Sequence, residues 1–156
     1  MRKNRLGRSS IVVSEICMGT MTFGSQADEK TSFRIMALAG GVLSGKYNDG
    51  DFPDGARFTY YRQAPERQQA ILRRFVNERT LESTRRYQAI AQQAGMSLVT
   101  MATAWSKQHD FVASTIVGAT SPEQMPDILA AADLTLDQET LKKIDAVSRE
   151  ILYPMG

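Results

Sequence analysis

The residues best suited to chemistry in this chain of 156 residues lie in "LAGGVLSGKYNDGDFPDGAR", Leu38 to Arg57, with glycine at 40, 41, 45, 50 and 55 and a lysine at 46. Glycine tolerates positive φ and lets a main chain approach a ligand closely, so backbone N–H groups here, with Lys46, could hold an anion. A surface loop accounts for the same composition without any ligand. A second candidate is the junction "IVGATSPEQ", in which a β-branched run ends at Gly118 and a helix start follows at once. A helix N-terminus offers free N–H groups and partial positive charge, and Thr120 and Ser121 could add hydroxyls. Ser121, Pro122 and Gln124 fit plain capping equally well, as N-cap, first helical proline and capping-box glutamine.

Other reactive residue types read as structural. Cys17 lies in an apolar run and reads as a buried thiol that no second cysteine can oxidise. His109 reads as a loop residue and Trp105 as core. The arginines at 73, 74, 79, 85 and 86 alternate with Glu78 and Glu82, the pattern of a solvated helix face rather than of a nucleic-acid surface.

Several elements must position these groups. Arg2 to Gly24 reads as two short strands around "LGRSS" followed by a third apolar run. "DEKTSFRIM", Asp28 to Met36, starts as a helix and stops early. "APERQQAILRRFVNERTLESTRRYQAIAQQAG" carries apolar residues at helical spacing up to a glycine stop at Gly95. "SLVTMATAWSKQ" is a further apolar helix, and Phe111 to Thr120 a buried strand ending at Gly118. A helix opens at "SPEQ", and "LDQETLKKIDAVSREI" closes the chain with Asp137 as cap and Leu141, Ile144 and Val147 on one stripe.

The totals set bounds. A hydrophobic content of 42% supports one globular unit, and a net charge of +2 is too small to argue for nucleic acid or an anionic membrane. No signal-peptide core and no apolar run of about 18 residues is present, so a cytoplasmic protein with no membrane partner is expected.

Three blocks, taken in order, carry a resemblance: "NRLGRSSIVVSEICMGTMTFG", "LAGGVLSGKYNDGDFPDGAR" and "FVASTIVGATSPEQMPDILAAADLTLDQETLKKIDAV". Together they resemble the bacterial aldo-keto reductases, in the branch that includes the potassium-channel β-subunit-like enzymes. The resemblance implies an α/β fold, a (β/α)8 TIM barrel. The chain supplies its N-terminal hairpin, its first strand and the part from strand seven to the C-terminus, in one domain over residues 1–156. It implies reduction of an aldehyde or ketone to an alcohol by hydride transfer from NADPH, with a small-molecule carbonyl substrate as partner. Gly19, Thr20 and Met21 would lie by the nicotinamide and its ribose. Leu38, Gly40, Leu43, Gly45 and Lys46 would line the pyrophosphate, with Arg57 in a flap over it. Gly118, Thr120, Ser121 and Gln124 would meet the adenosine end and its 2′-phosphate. Ile128 stands where relatives usually place an asparagine facing the adenine, and Pro126 removes a backbone donor from the first turns of the same helix.

A complete barrel of this kind takes about 250 residues. The deficit is local: the resemblance jumps from the first barrel helix to the end of strand seven between Met36 and Ala37. The family's catalytic Asp, Tyr, Lys and His fall in the missing stretch. Tyr47, Tyr60, Tyr61, Tyr87 and Tyr153 lack the family context of the general acid, so no catalytic residue is assigned. A nucleotide-binding or regulatory module that keeps only the cofactor loops is the alternative reading. A longer protein lacking its central stretch in this sequence, an internal deletion, and a homo-oligomer completing the barrel would each explain the jump. The first is favoured, because the join cuts a helix on one side and a strand on the other.

Overall fold

The computed structural model describes residues 1–18, 38–110, 112–118, 122–152 and 154. They group into two units, one of 1–37 with 99–136 and the other of 38–98 with 137–156. The expected helix over 28–36 lies outside the described residues.

In the first unit, β1 (Lys3–Arg5) and β2 (Val12–Ser14) pair antiparallel, with Asn4 opposite Val13. The turn between them closes through Leu6 N–H on the Ile11 carbonyl at 2.9 Å, as "LGRSS" predicts. β3 (Ile16–Met18) then runs parallel to β4 (Thr115–Val117), with Cys17 opposite Ile116. These two pairs are the sheets among the described residues, and no closed barrel is seen there. β4 is shorter than the run Phe111 to Thr120 suggests, and it is not buried throughout: Thr115 and Val117 point inward while Ile116 is 70% exposed. Alternation of this kind is the signature of a strand with one covered face.

α4 (Leu98–Lys107) is tied to this sheet by the Thr115 hydroxyl, which donates to Ser106 Oγ at 3.1 Å. Its Lys107 forms an ion pair with Glu15 at 3.4 Å, both side chains 6% exposed, and Glu15 also accepts the Arg2 N–H at 3.2 Å. Buried charges persist only when paired and hydrogen-bonded, a condition that Glu15 meets twice. Trp105, expected in the core, sits at the rim instead, 36% exposed and edge-on to His109 with ring centroids 4.5 Å apart. Leu98, Thr100, Met101, Thr103 and Ala104 are all buried on α4, and Trp105, one turn on from Met101, lies near the end of that buried stretch. Gln108 clasps the backbone of Leu136 in both directions, donating to its carbonyl at 3.0 Å and accepting its N–H at 2.8 Å.

The second unit opens with a 3-10 helix, Leu38–Ser44, and continues with α1 (Arg57–Tyr61), α2 (Glu66–Phe75), α3 (Glu78–Gln93) and, from the end of the chain, α6 (Gln138–Glu150). Val42, Tyr47, Ala56 and Phe58 form its buried centre, with Leu72, Phe75 and Leu81 packed around it. Asp137 caps α6 as expected, accepting the Thr140 N–H at 2.7 Å. Ile144 and Val147 are buried and Leu141 is half-buried.

The long amphipathic run is broken at Val76, which leaves helical geometry, and Asn77 starts α3. Asn77 accepts the Thr80 N–H at 3.0 Å and donates to the carbonyls of Arg74 at 2.9 Å and Pro154 at 3.2 Å. Loss of such a cap costs about 1 kcal/mol, and here two further bonds go with it. Asn77→Ala is therefore expected to lower stability by about 1.5 kcal/mol, whereas Asn77→Ser, which keeps the cap, should cost less than half of that. Urea unfolding followed by circular dichroism checks both; equal losses would show that the cap is not the reason.

Candidate functional site

The glycine-rich segment is wound rather than loose. The 3-10 helix brings Ser44 Oγ onto the Gly41 carbonyl at 2.7 Å, and the chain reverses through the Gly45 N–H on the Val42 carbonyl at 2.9 Å and the Asn48 N–H on the Gly45 carbonyl at 3.0 Å. Lys46 folds back over this turn. A Cβ built on Gly41, whose φ is 87°, would stand 2.7 Å from Lys46 Cε and 2.9 Å from Nζ, so only glycine leaves room for the side chain to lie there. On its other side the Lys46 ammonium lies 5.5 Å from the centroid of the Tyr47 ring.

Burial, and then the positive charge of Arg57, push the Lys46 ammonium below the ordinary lysine range. Among the described residues neither Lys46 nor Arg57 forms an ion pair with a carboxylate. A neighbouring positive charge without a counter-charge lowers the ammonium's hold on its proton, and an anion placed beside it removes that penalty. Gly41 lies buried beneath the Lys46 stem, Gly40 and Gly45 are half-buried against Phe58 and Gln88, and the two cations stand close enough to feel each other. These residues fit a phosphate group.

Behind the turn, α3 contributes Gln88. Its Oε1 accepts from Asn48 Nδ2 at 2.6 Å and would lie 3.2 Å from a Cβ on Gly45, so the amide pair packs directly under that glycine. Gln88, Asn48 and Tyr47 were not legible as site residues: Gln88 sits 40 positions from its partner on a polar helix stretch, and nothing local marks the contact. Of the other residues expected here, Leu38 begins the 3-10 helix, Gly40 belongs to it, Leu43 is half-buried within it, and Arg57 is the exposed first residue of α1.

In the first unit, Gly118 follows β4 directly, and Gln124 ends a short 3-10 turn, Pro122–Gln124, both half-buried. Pro122 therefore opens that 3-10 turn and not the α-helix, which is α5 (Met125–Ala130). Pro126 falls in the first turn of α5, where no intrahelical donor is needed, so it does not distort the helix entry. Ile128 is 2% exposed and serves the core. Gly19, Thr20, Met21, Thr120 and Ser121 lie outside the described residues. Among the described residues no group of three His, Cys, Asp or Glu could hold a metal ion, and no helix is long and apolar enough to cross a membrane.

Comparison with known proteins agrees with the second and third blocks. The family model described as "Aldo/keto reductase family" matches residues 33–149, and the chain belongs to that family. "Protein tas" of Escherichia coli (strain K12) is 33% identical over 117 residues, which cover 75% of this chain and 32% of that protein. "Probable voltage-gated potassium channel subunit beta" of Oryza sativa subsp. japonica is 36% identical over 112 residues, 70% of this chain and 33% of the relative. "L-glyceraldehyde 3-phosphate reductase" of Escherichia coli O157:H7 is 34% identical over 109 residues, 69% and 30%. The chain thus spans about a third of the length of the curated relatives it matches.

Proposed function

We propose that this chain is the cofactor-holding part of an oxidoreductase that reduces aldehydes or ketones to alcohols with NADPH, the dinucleotide supplying the hydride. Lys46 and Arg57, two neighbouring cations in the glycine-rich segment without a carboxylate ion-pair partner among the described residues, are the observation that carries the reading. Leu38, Gly40, Leu43, Gly45 and Lys46 would contact the pyrophosphate, and Arg57 would cover it. Gly19, Thr20 and Met21 keep their family-derived assignment to the nicotinamide end, and Gly118, Thr120, Ser121 and Gln124 theirs to the adenosine end. The parent protein would be a single barrel domain acting on a small carbonyl compound in the cytoplasm.

A second reading is favoured by the want of a family Asp, Tyr, Lys and His set in this sequence: a nucleotide-binding module without turnover. One experiment separates the two, run on a sample whose intact mass is 17.3 kDa. NADPH fluorescence is titrated with the chain, and oxidation of NADPH is then followed after adding an aldehyde. Binding with aldehyde-dependent oxidation supports the reductase, binding alone selects the module, and no binding overturns both. The pH dependence has a definite sign. Lys46 must be protonated to hold phosphate, and its folded-state pKa is lowered, so NADPH affinity should fall with rising pH before an ordinary lysine, near about 10.4, would titrate. Flat affinity from pH 7 to 10 would remove Lys46 from the site.

A further inference from the structure

The five-residue α1 begins at Arg57 behind Ala56, an N-cap whose side chain can accept no hydrogen bond. The N–H of the next residue, Phe58, ought then to be an orphan donor in the first helical turn. It donates instead to the Tyr47 hydroxyl at 3.4 Å, from a residue eleven positions away. Tyr47 is 0% exposed, and its ring is fixed between those of Phe52 and Phe58, each with its centroid 5.5 Å away. Burial pushes the phenol pKa up, so the hydroxyl stays un-ionised. Its chain neighbour is Lys46, and the residue it caps through is the neighbour of Arg57.

We propose that Tyr47 is a positioning residue that acts as a remote helix cap, tying the start of α1 to the Lys46 turn so that both cations meet the same anion. The inference rests on the anion-binding reading above and extends it: the aromatic core under the turn sets the spacing of the two charges, and the phenol oxygen is the atom that does so. A ring that only filled space would be replaced by phenylalanine without effect on the anion.

The test uses the full chain, inorganic pyrophosphate as probe, and amide hydrogen exchange over residues 57–61 as a readout independent of binding. Tyr47→Phe should speed exchange there and weaken pyrophosphate binding, each by about fivefold, the effect of one lost hydrogen bond. In a double-mutant cycle the Tyr47→Phe loss should vanish when Arg57→Ala is already present and persist when Lys46→Met is. Ala56 has the extended backbone of an N-cap, with φ −76° and ψ 146°, so Ala56→Ser can supply a local acceptor. Ala56→Ser should therefore restore both quantities in the Tyr47→Phe background. By itself it should slow exchange over 57–61 and leave affinity within about twofold. Unchanged exchange in Tyr47→Phe, a loss fully additive with Arg57→Ala, or failure of the serine rescue would overturn the proposal. If exchange responds as expected but the unaltered chain does not bind pyrophosphate, the anion-binding reading falls and takes the charge-spacing role with it.

Discussion

Gly40→Ala is expected to destabilise the unit that carries it by about 3 kcal/mol, a large part of the stability of a small domain. A Cβ there would stand 2.7 Å from Cζ and 2.8 Å from Cε2 of Phe58. That ring cannot swing aside: Phe58 is 1% exposed and is held by Tyr47, Tyr61 and Phe75 at centroid distances of 5.5, 5.7 and 5.7 Å. The backbone adds its own penalty, because φ at Gly40 is 71°. Gly55→Ala isolates that part, since Gly55 has φ 75° and nothing within 4 Å of its added Cβ; it should cost about 1 kcal/mol. Urea midpoints of the two variants decide the matter. Equal shifts would mean that packing on Phe58 contributes nothing.

Lys46→Met should lower NADPH affinity about thirtyfold, the loss of one charge-assisted contact to phosphate at about 2 kcal/mol. The thioether keeps the stem lying over Gly41 but removes a desolvated charge that sits beside Arg57. Stability should therefore hold or rise slightly while binding collapses, opposite signs that a general folding defect cannot produce. Fluorescence titration beside a urea curve measures both. An affinity change below about twofold would place the phosphate elsewhere.

What could be read from the sequence was whatever has a local cause. The hairpin at "LGRSS", the Asp137 cap and the glycine stop after α3 each depend on residues within a few positions of one another, and each is found. The break at Asn77 was hidden because apolar spacing runs on through Phe75 and Val76, although an asparagine three residues ahead of Thr80 was a usable signal. Pro122 was misread for a related reason: a 3-10 turn takes up Pro122 to Gln124 and shifts the α-helical start forward. Trp105 and Ile116 show the limit of composition, since apolar character does not say which face a neighbour will cover. At the candidate site the glycines, Lys46 and Arg57 were legible through their spacing and resemblance. Tyr47, Asn48 and Gln88 were not, because their roles exist only once the turn is packed against α1 and α3.

The parallel pairing of Ile16 with Thr115 has a kinetic consequence. About a hundred residues of chain must be made before β3 can meet its partner, and at roughly 5–20 residues per second that is a wait of several seconds during synthesis. The hairpin of β1 and β2, by contrast, closes from neighbouring residues in microseconds. β3 therefore spends its first seconds without β4 beside it, the interval in which a holdase chaperone would matter most to the yield of this polypeptide.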